Sequence, residues 1–196
     1  MSATAIYDVT QALAERLKEA LAEANLQNSG DVFVGPLDDP QAQGASLILF
    51  LYRISPNPSL RNSEHRVLNS APPPPVLIYD NSLPLTLHFL ITTGTRPVTQ
   101  QDPLLNVLGF AMRDLNADPD LAGPGVDHEA VRVSLEPVST DEMSRIWTLF
   151  PTANYRTSVA YVATPVWLDP KHPPSGAPRV VDDRLDAGPK LDTVDA

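Results

Sequence analysis

Residues Leu47 to Tyr52 form an unbroken run of apolar and aromatic side chains, LILFLY, inside the stretch ASLILFLYRISPNPSLRNSEHR. Successive residues of a strand point to opposite faces, so a strand over 45–54 carries apolar groups on both. Such a strand belongs in the middle of a sheet that is covered on both sides. Burying its six apolar side chains contributes on the order of 10 kcal/mol before conformational entropy is subtracted. Yet the run meets Pro56, Asn57 and Pro58 within a few positions, followed by the polar Arg61-Asn62-Ser63-Glu64. Each proline fixes its own φ near about −65° and pushes the residue before it to extended geometry. The 55–69 segment is therefore expected to be a stiff, projecting loop on a rigid base.

The remaining pattern predicts one α/β (α+β) domain with a mostly antiparallel sheet and about three helices. Over 4–24, Ile6, Val9, Leu13, Leu17, Leu21 and Ala24 recur at helical spacing, with NSGD (28–31) as the stop. A second helix has Asp102 as its cap, Pro103 at its first position, and Leu104, Leu105, Leu108, Met112 and Leu115 as its apolar stripe. Gly109 inside that helix is expected to mark close packing on the sheet. STDE (139–142) is a capping-box start for a short third helix reaching Phe150. Strands are expected at 31–35, 45–54, 76–80, 83–92, 130–135 and 155–168, with the prolines Pro72 to Pro75 in a connection. In the 83–92 strand, apolar Leu83, Leu85, Leu87, Phe89 and Ile91 alternate with Pro84, Thr86, His88 and Leu90, the pattern of a half-buried strand. Domain 1–168 ends where prolines and aspartates replace the apolar period, and 169–196 is expected to be a disordered tail.

Composition removes several function classes. A net charge of −10 argues against a nucleic-acid partner. No apolar run approaches the roughly 20 residues of a membrane helix, and the N-terminus does not read as a secretory leader. With no cysteine there are no disulfides, thiolate metal sites or cysteine nucleophiles, which suits a cytoplasmic protein. Before position 169 only one lysine, Lys18, stands against nine arginines, the cation favoured at protein interfaces.

No phosphate-binding loop, dinucleotide fingerprint or nucleophile elbow occurs. His65, His88, His128 and His172 lie far apart, without the i+3 or i+4 ligand spacing of a helical metal site. Asp127-His128-Glu129 reads as a solvated turn, His88 as an ordinary side chain on a polar face. Trp147, Tyr155 and Tyr161 read as core aromatics. No catalytic, cofactor or metal residue is assigned, and the chain is expected not to be an enzyme. The 55–69 loop is left. Its donors and acceptors, Arg61, Asn62, Glu64, His65 and Arg66, suit a docking element, because a stiff segment loses little entropy on binding. The plainer reading is a solvated connection.

The stretches LILFLYRISPNPSLRN, PLTLHFLITTG, LLNVLGFAMRDL and VRVSLEPVSTDEMSRIWTLFPTANYRTSVAYVATPVWLD, with the N-terminal helix, span nearly all of residues 4–169. In order and wording they resemble the tail-terminator, or cap, proteins of extracellular contractile injection systems, the antifeeding-prophage and virulence-cassette type. The resemblance implies a structural part: a homo-oligomeric, hexameric ring at the baseplate-distal end that stops tube and sheath growth and holds the last sheath layer. Its partners would be sheath protein and inner tube protein, with no nucleic acid and no membrane. Assembly would take place in the cytoplasm, within a particle released from the cell. Asn57, Leu60, Arg61 and Asn62 carry the resemblance and, with Arg66, are the candidate partner interface. The alternatives are a head-to-tail completion protein of a phage or prophage, and a small enzyme with a histidine site around His88 or His128.

Overall fold

The computed structural model describes residues 3–24, 31–68, 76–94, 102–127, 129–171 and 175–177. The chain opens with helix α1 (Ala5–Glu23), followed by strands β1 (Val32–Val34), β2 (Leu47–Pro56), β3 (His65–Leu68), β4 (Val76–Tyr79) and β5 (Leu83–Thr93). Helix α2 (Asp102–Ala117), β6 (Asp120–Leu121), β7 (Val131–Glu136), α3 (Thr140–Trp147), β8 (Ser158–Leu168) and β9 (Ser175–Ala177) complete it. Six strands make the main sheet in the order β1-β2-β5-β8-β7-β6, and β3-β4-β9 make a small second one. Among the described residues only the β1–β2 pairing is parallel; every other pair is antiparallel.

The apolar run explains why the sheet has a layer on each side. Leu47 and Leu49 of β2 face the main core, where Val9, Leu13 and Leu17 of α1 and Val107, Leu108 and Ala111 of α2 meet Leu87, Phe89 and Ile91 of β5. Ile48, with Phe50 and Tyr52, faces a second cluster built on Leu37, Leu90, Trp147 and Phe150. The expectation for β2 holds for its first half: both faces are covered, fully at Leu47–Leu49 and in part at Phe50–Tyr52, whereas Arg53 and Ile54 are exposed. α3 sits over that second face, and its start is the expected capping box, with Ser139 accepting from the Glu142 amide and Glu142 reaching back to the Ser139 amide.

A bulge at Tyr52 shifts the β2–β5 register, so that Leu51 pairs with Phe89 but Arg53 with His88. The extra residue turns consecutive side chains to one face, and Tyr52 and Arg53 both reach Glu136 of β7. At the far end of β5 the chain passes so close to the Ala45–Ser46 backbone that a Cβ on Gly94 would stand 1.9 Å from the Ala45 carbonyl oxygen. Only glycine fits there.

Several expectations change. β5 is buried on both faces from Leu87 onward rather than half-buried, because α3 and the β7 side chains cover His88 and Leu90. Leu105 is exposed, and Val107 and Ala111 take its place in the stripe. A Cβ at Gly109 would meet nothing within 4 Å, so close packing does not explain that glycine. Trp147 and Tyr161 are buried, but Tyr155 is 66% exposed. The 55–69 segment is only partly loop: a 3-10 turn (Pro58–Leu60) and β3 lie within it. β9 pairs with β4 beyond the expected domain end at 168. The NSGD stop other than Asp31, the prolines 72–75, His128, His172, the side chain of Asp102 and the segment 178–196 lie outside the described residues.

Candidate functional site

The segment that follows β2 is pinned at both ends. At its start, the Asn57 amide donates to the Pro84 carbonyl at 2.8 Å and the Asn57 side-chain amide to Thr164 Oγ1 at 3.1 Å. The Asn57 side-chain oxygen accepts from the Ser59 amide, capping the 3-10 turn whose first residue is Pro58. Asn57 and Leu60 are half-buried, while Arg61, Asn62 and Arg66 are exposed. Arg66 pairs with neighbouring Glu64 at 2.8 Å. Arg61 has no ion pair or hydrogen bond among the described residues. The five candidate residues thus divide: Asn57 and Leu60 hold the turn, Arg61 and Asn62 form its exposed tip, and Arg66 is exposed but paired with Glu64.

The other end is held by His65, which is 5% exposed. Its Nδ1 lies 2.7 Å from Asp169 Oδ1 and its Nε2 3.0 Å from Glu129 Oε2. Carboxylates only accept, so both contacts are hydrogen bonds when both ring nitrogens carry protons. The ring stacks on Trp167 at 4.7 Å and 12°, and on Tyr79 at 5.8 Å. Ser82 Oγ donates to the same Asp169 oxygen at 2.7 Å. Burial works to raise both carboxyl groups, but their hydrogen bonds, those from His65 and Ser82 among them, leave Glu129 and Asp169 below their ordinary pKa values. This clasp joins β3 and β4 to the end of β8. The three side chains are also ligand types for a metal ion, with ligand atoms within 4.8 Å of one another. However, the carboxylates approach opposite nitrogens of one ring at hydrogen-bond distance, and an ion at either nitrogen would displace one of them.

A second polar cluster lies under β2. His88, also 5% exposed, places Nδ1 3.0 Å from both Glu136 oxygens and Nε2 2.9 Å from Ser55 Oγ. Arg53 Nη2, which can only donate, also stands 3.0 Å from Nδ1, so the guanidinium and the Glu136 carboxylate make opposite demands on that nitrogen. Arg53 donates to Glu136 at 3.2 Å and Tyr52 donates to it at 2.7 Å. Burial first, then the hydrogen bond to Glu136, pushes the Tyr52 phenol up. Ser55, His88 and Glu136 have the contacts of a hydrolytic triad. Their setting differs from one: Ser55 is paired with Thr86 inside a strand rather than held on a sharp turn. The clefts lined by Tyr79 and Glu129, and by Met112 and Leu135, lie elsewhere. The cluster is a polar core that joins β2, β5 and β7.

Sequence reasoning missed both clusters for the same reason. Their members, His65-Glu129-Asp169 and Ser55-His88-Glu136, are separated by tens of residues, and strand pairing alone brings them together. The one usable signal was Glu129 itself: the sequence places it with Asp127 and His128 in a solvated turn, whereas the structure largely buries its side chain against His65.

The model of the Pvc16 N-terminal domain matches residues 8–182. No curated protein matches the chain. Among solved structures, the fold is similar to the sheath/tube terminator of the PVC extracellular contractile injection system in its extended state, with a TM-score of 0.58 and 19% identity. It is also similar to the tube-terminating cap of the anti-feeding prophage, with a TM-score of 0.57 and 20% identity. The alignments cover 95% and 91% of this chain, but 65% and 60% of those two, so this chain spans less than two thirds of their length. At these identities the likeness is one of fold. No helix among the described residues is long and apolar enough to cross a membrane.

Proposed function

The chain belongs to the Pvc16 N-terminal domain family, and from that premise we propose that it is the structural terminator of a contractile injection particle. It forms a ring at the baseplate-distal end, where it ends tube and sheath growth and holds the last sheath layer. Subunits fold and assemble in the cytoplasm before the particle leaves the cell. The observation that carries this reading is the family match over residues 8–182, joined to the fold shared with two terminator structures. The solved relatives are structural caps, in keeping with a chain that performs no reaction.

The docking element is the turn between Asn57 and Arg66. Its base is the doubly covered β2, its ends are fixed by Asn57 and by the His65 clasp, and Arg61 and Asn62 are presented to tube or sheath. A turn fixed this way loses little entropy when it docks. A guanidinium also suits paired hydrogen bonds to a partner's carboxylate or carbonyl groups.

The test is electron microscopy of particles assembled with and without this chain. Particles lacking it should have tubes and sheaths of uncontrolled length with open distal ends. Particles of normal length with closed ends would refute the terminator role. A non-enzymatic protein should also leave p-nitrophenyl acetate hydrolysis at the same background rate before and after Ser55→Ala, and a Ser55-dependent turnover would overturn that part.

A further inference from the structure

Arg16, Arg53, Arg66, Arg113, Arg132 and Arg145 each stand within 4.0 Å of a carboxylate. Among the described residues two arginines do not: Arg61, at the tip discussed above, and Arg156. The two differ in burial. Arg61 is exposed, whereas Arg156 is half-buried and its Nη1 is fully buried without an acceptor. Burial accordingly lowers the Arg156 pKa. In a chain with 24 acidic and 14 basic side chains, an unpaired and partly desolvated guanidinium is unexpected.

Its surroundings point the same way. Arg156 follows Tyr155, whose ring lies 5.2 Å from Trp147. The Trp147 indole Nε1 is a second buried donor without an acceptor. Tyr155 is 66% exposed, and Leu149, in the turn after α3, 62%. Nη1 and the indole Nε1 are closed off within the subunit, so a partner reaches this surface through the other guanidinium nitrogens; these only donate, and what completes the surface must accept. Trp, Tyr and Arg gathered around apolar surface is the composition of a binding hot spot.

We propose that Arg156, Trp147 and Tyr155 form one half of a contact between subunits, in which a second copy of this chain gives a carboxylate to the Arg156 guanidinium. The inference rests on the ring reading above and names one of its contacts. A closed ring of identical subunits joins two different patches of the same surface, so a donor on one copy meets an acceptor elsewhere on the next. The acceptors are in supply: Asp38 and Asp80 are exposed and carry no ion pair among the described residues. Tyr155 and Leu149 shield the pair from water, which strengthens it.

The experiment is analytical ultracentrifugation of the full chain and of Arg156→Ala, Arg156→Lys and Tyr155→Ala, each first checked by thermal melting. The wild-type chain should self-associate below about 100 μM. Arg156→Ala should weaken that association by about 30-fold or more, and Arg156→Lys should restore part of it. Should Arg156→Ala fail to fold, Tyr155→Ala decides, because its side chain is exposed; it should weaken association about tenfold. Normally melting variants that associate as tightly as wild type would overturn this contact and leave the ring standing. A wild-type chain that stays monomeric would overturn both.

Discussion

At the Asp169 end of β8, a buried imidazole has a carboxylate at each nitrogen and a tryptophan on its face. At the Arg156 end, one nitrogen of a half-buried guanidinium and a buried indole N–H have no acceptor among the described residues. The strand between them is 11 residues long, roughly 35 Å at the usual rise. Both ends take a nitrogen-bearing side chain out of water, yet only one supplies the acceptors from its own chain. A buried polar group with its partners in place steadies the subunit. A half-buried charge without a partner is a standing cost that a carboxylate brought to its accessible nitrogens would relieve. On this comparison the His65 end serves the fold, while the Arg156 end is the one we propose for association and Arg61, near the clasp in sequence, the one we propose for docking.

The largest effect should come from breaking the complete end. His65→Ala leaves Glu129 and Asp169 without the ring between them and should cost about 3–5 kcal/mol. For a chain of this size that lowers Tm by roughly 10 °C. The pH response has a defined sign. Both carboxyl groups titrate below their ordinary values in the folded chain, so their stabilisation is fully present above an unfolded pKa of about 4. It is lost as pH falls through the lower folded values. Melting curves between about pH 3 and 6 should therefore lose stability below about pH 4, less steeply in His65→Ala. Equal pH slopes in the two proteins would show that the clasp is not what steadies this end.

Truncation tests the same end more gently, and it tests where the domain ends. A chain ending at Leu168 loses Asp169 and the β9–β4 pairing. It should lose about 2 kcal/mol, a few degrees of Tm. A chain ending at Ala177 keeps both and should melt within about 1 °C of the full length. If both truncations melt alike, the boundary lies at 168 and the clasp contributes little.

The contrast also explains which parts could be read from the sequence. β2, α1 and α3 are local statements: a doubly apolar run, a helical stripe and a Ser139–Glu142 box each fit within a few turns of chain. The two missed strands near the site were hidden for physical reasons. β3 carries His65 and Arg66 among its four residues, so it lacks an apolar period, and it exists because β4 and the clasp hold it. β9 reads SGA, which no propensity marks as strand. Half-burial of β5 was misjudged because the polar residue in its pattern, His88, is covered by Glu136 and Tyr52 from other strands. Of the candidate site, Arg61 and Asn62 were accessible to sequence reasoning as a polar tip after prolines. The anchoring of that tip was not, since Thr164 and Asp169 lie over a hundred positions away.

At the incomplete end the expected effect is smaller and opposite in sign. Arg156→Met removes an unpaired, partly desolvated charge and keeps the apolar stem, so the isolated subunit should gain up to about 1 kcal/mol. Thermal melting at a concentration where the chain is monomeric would measure it. A loss of stability would mean that the guanidinium has a partner within its own subunit, and the two ends of β8 would then be alike.

The smallest effect on the subunit should come from Arg61→Ala. The side chain is exposed and unpaired among the described residues, so the isolated chain should change by no more than about 0.5 kcal/mol. If Arg61 docks on tube or sheath through a partly buried charged hydrogen bond, the same change should cost about 2–5 kcal/mol in the particle. The two magnitudes separate folding from docking with one substitution. Tubes that overrun or lose their caps, made with a subunit that melts normally, are the expected result. Capped particles of normal length would reduce the turn to a connection, and the outward role at this end of β8 would pass to Asn62 and Arg66 or disappear. The fixed ends make the test clean, because Asn57 and His65 hold the turn in the variant as in the wild type.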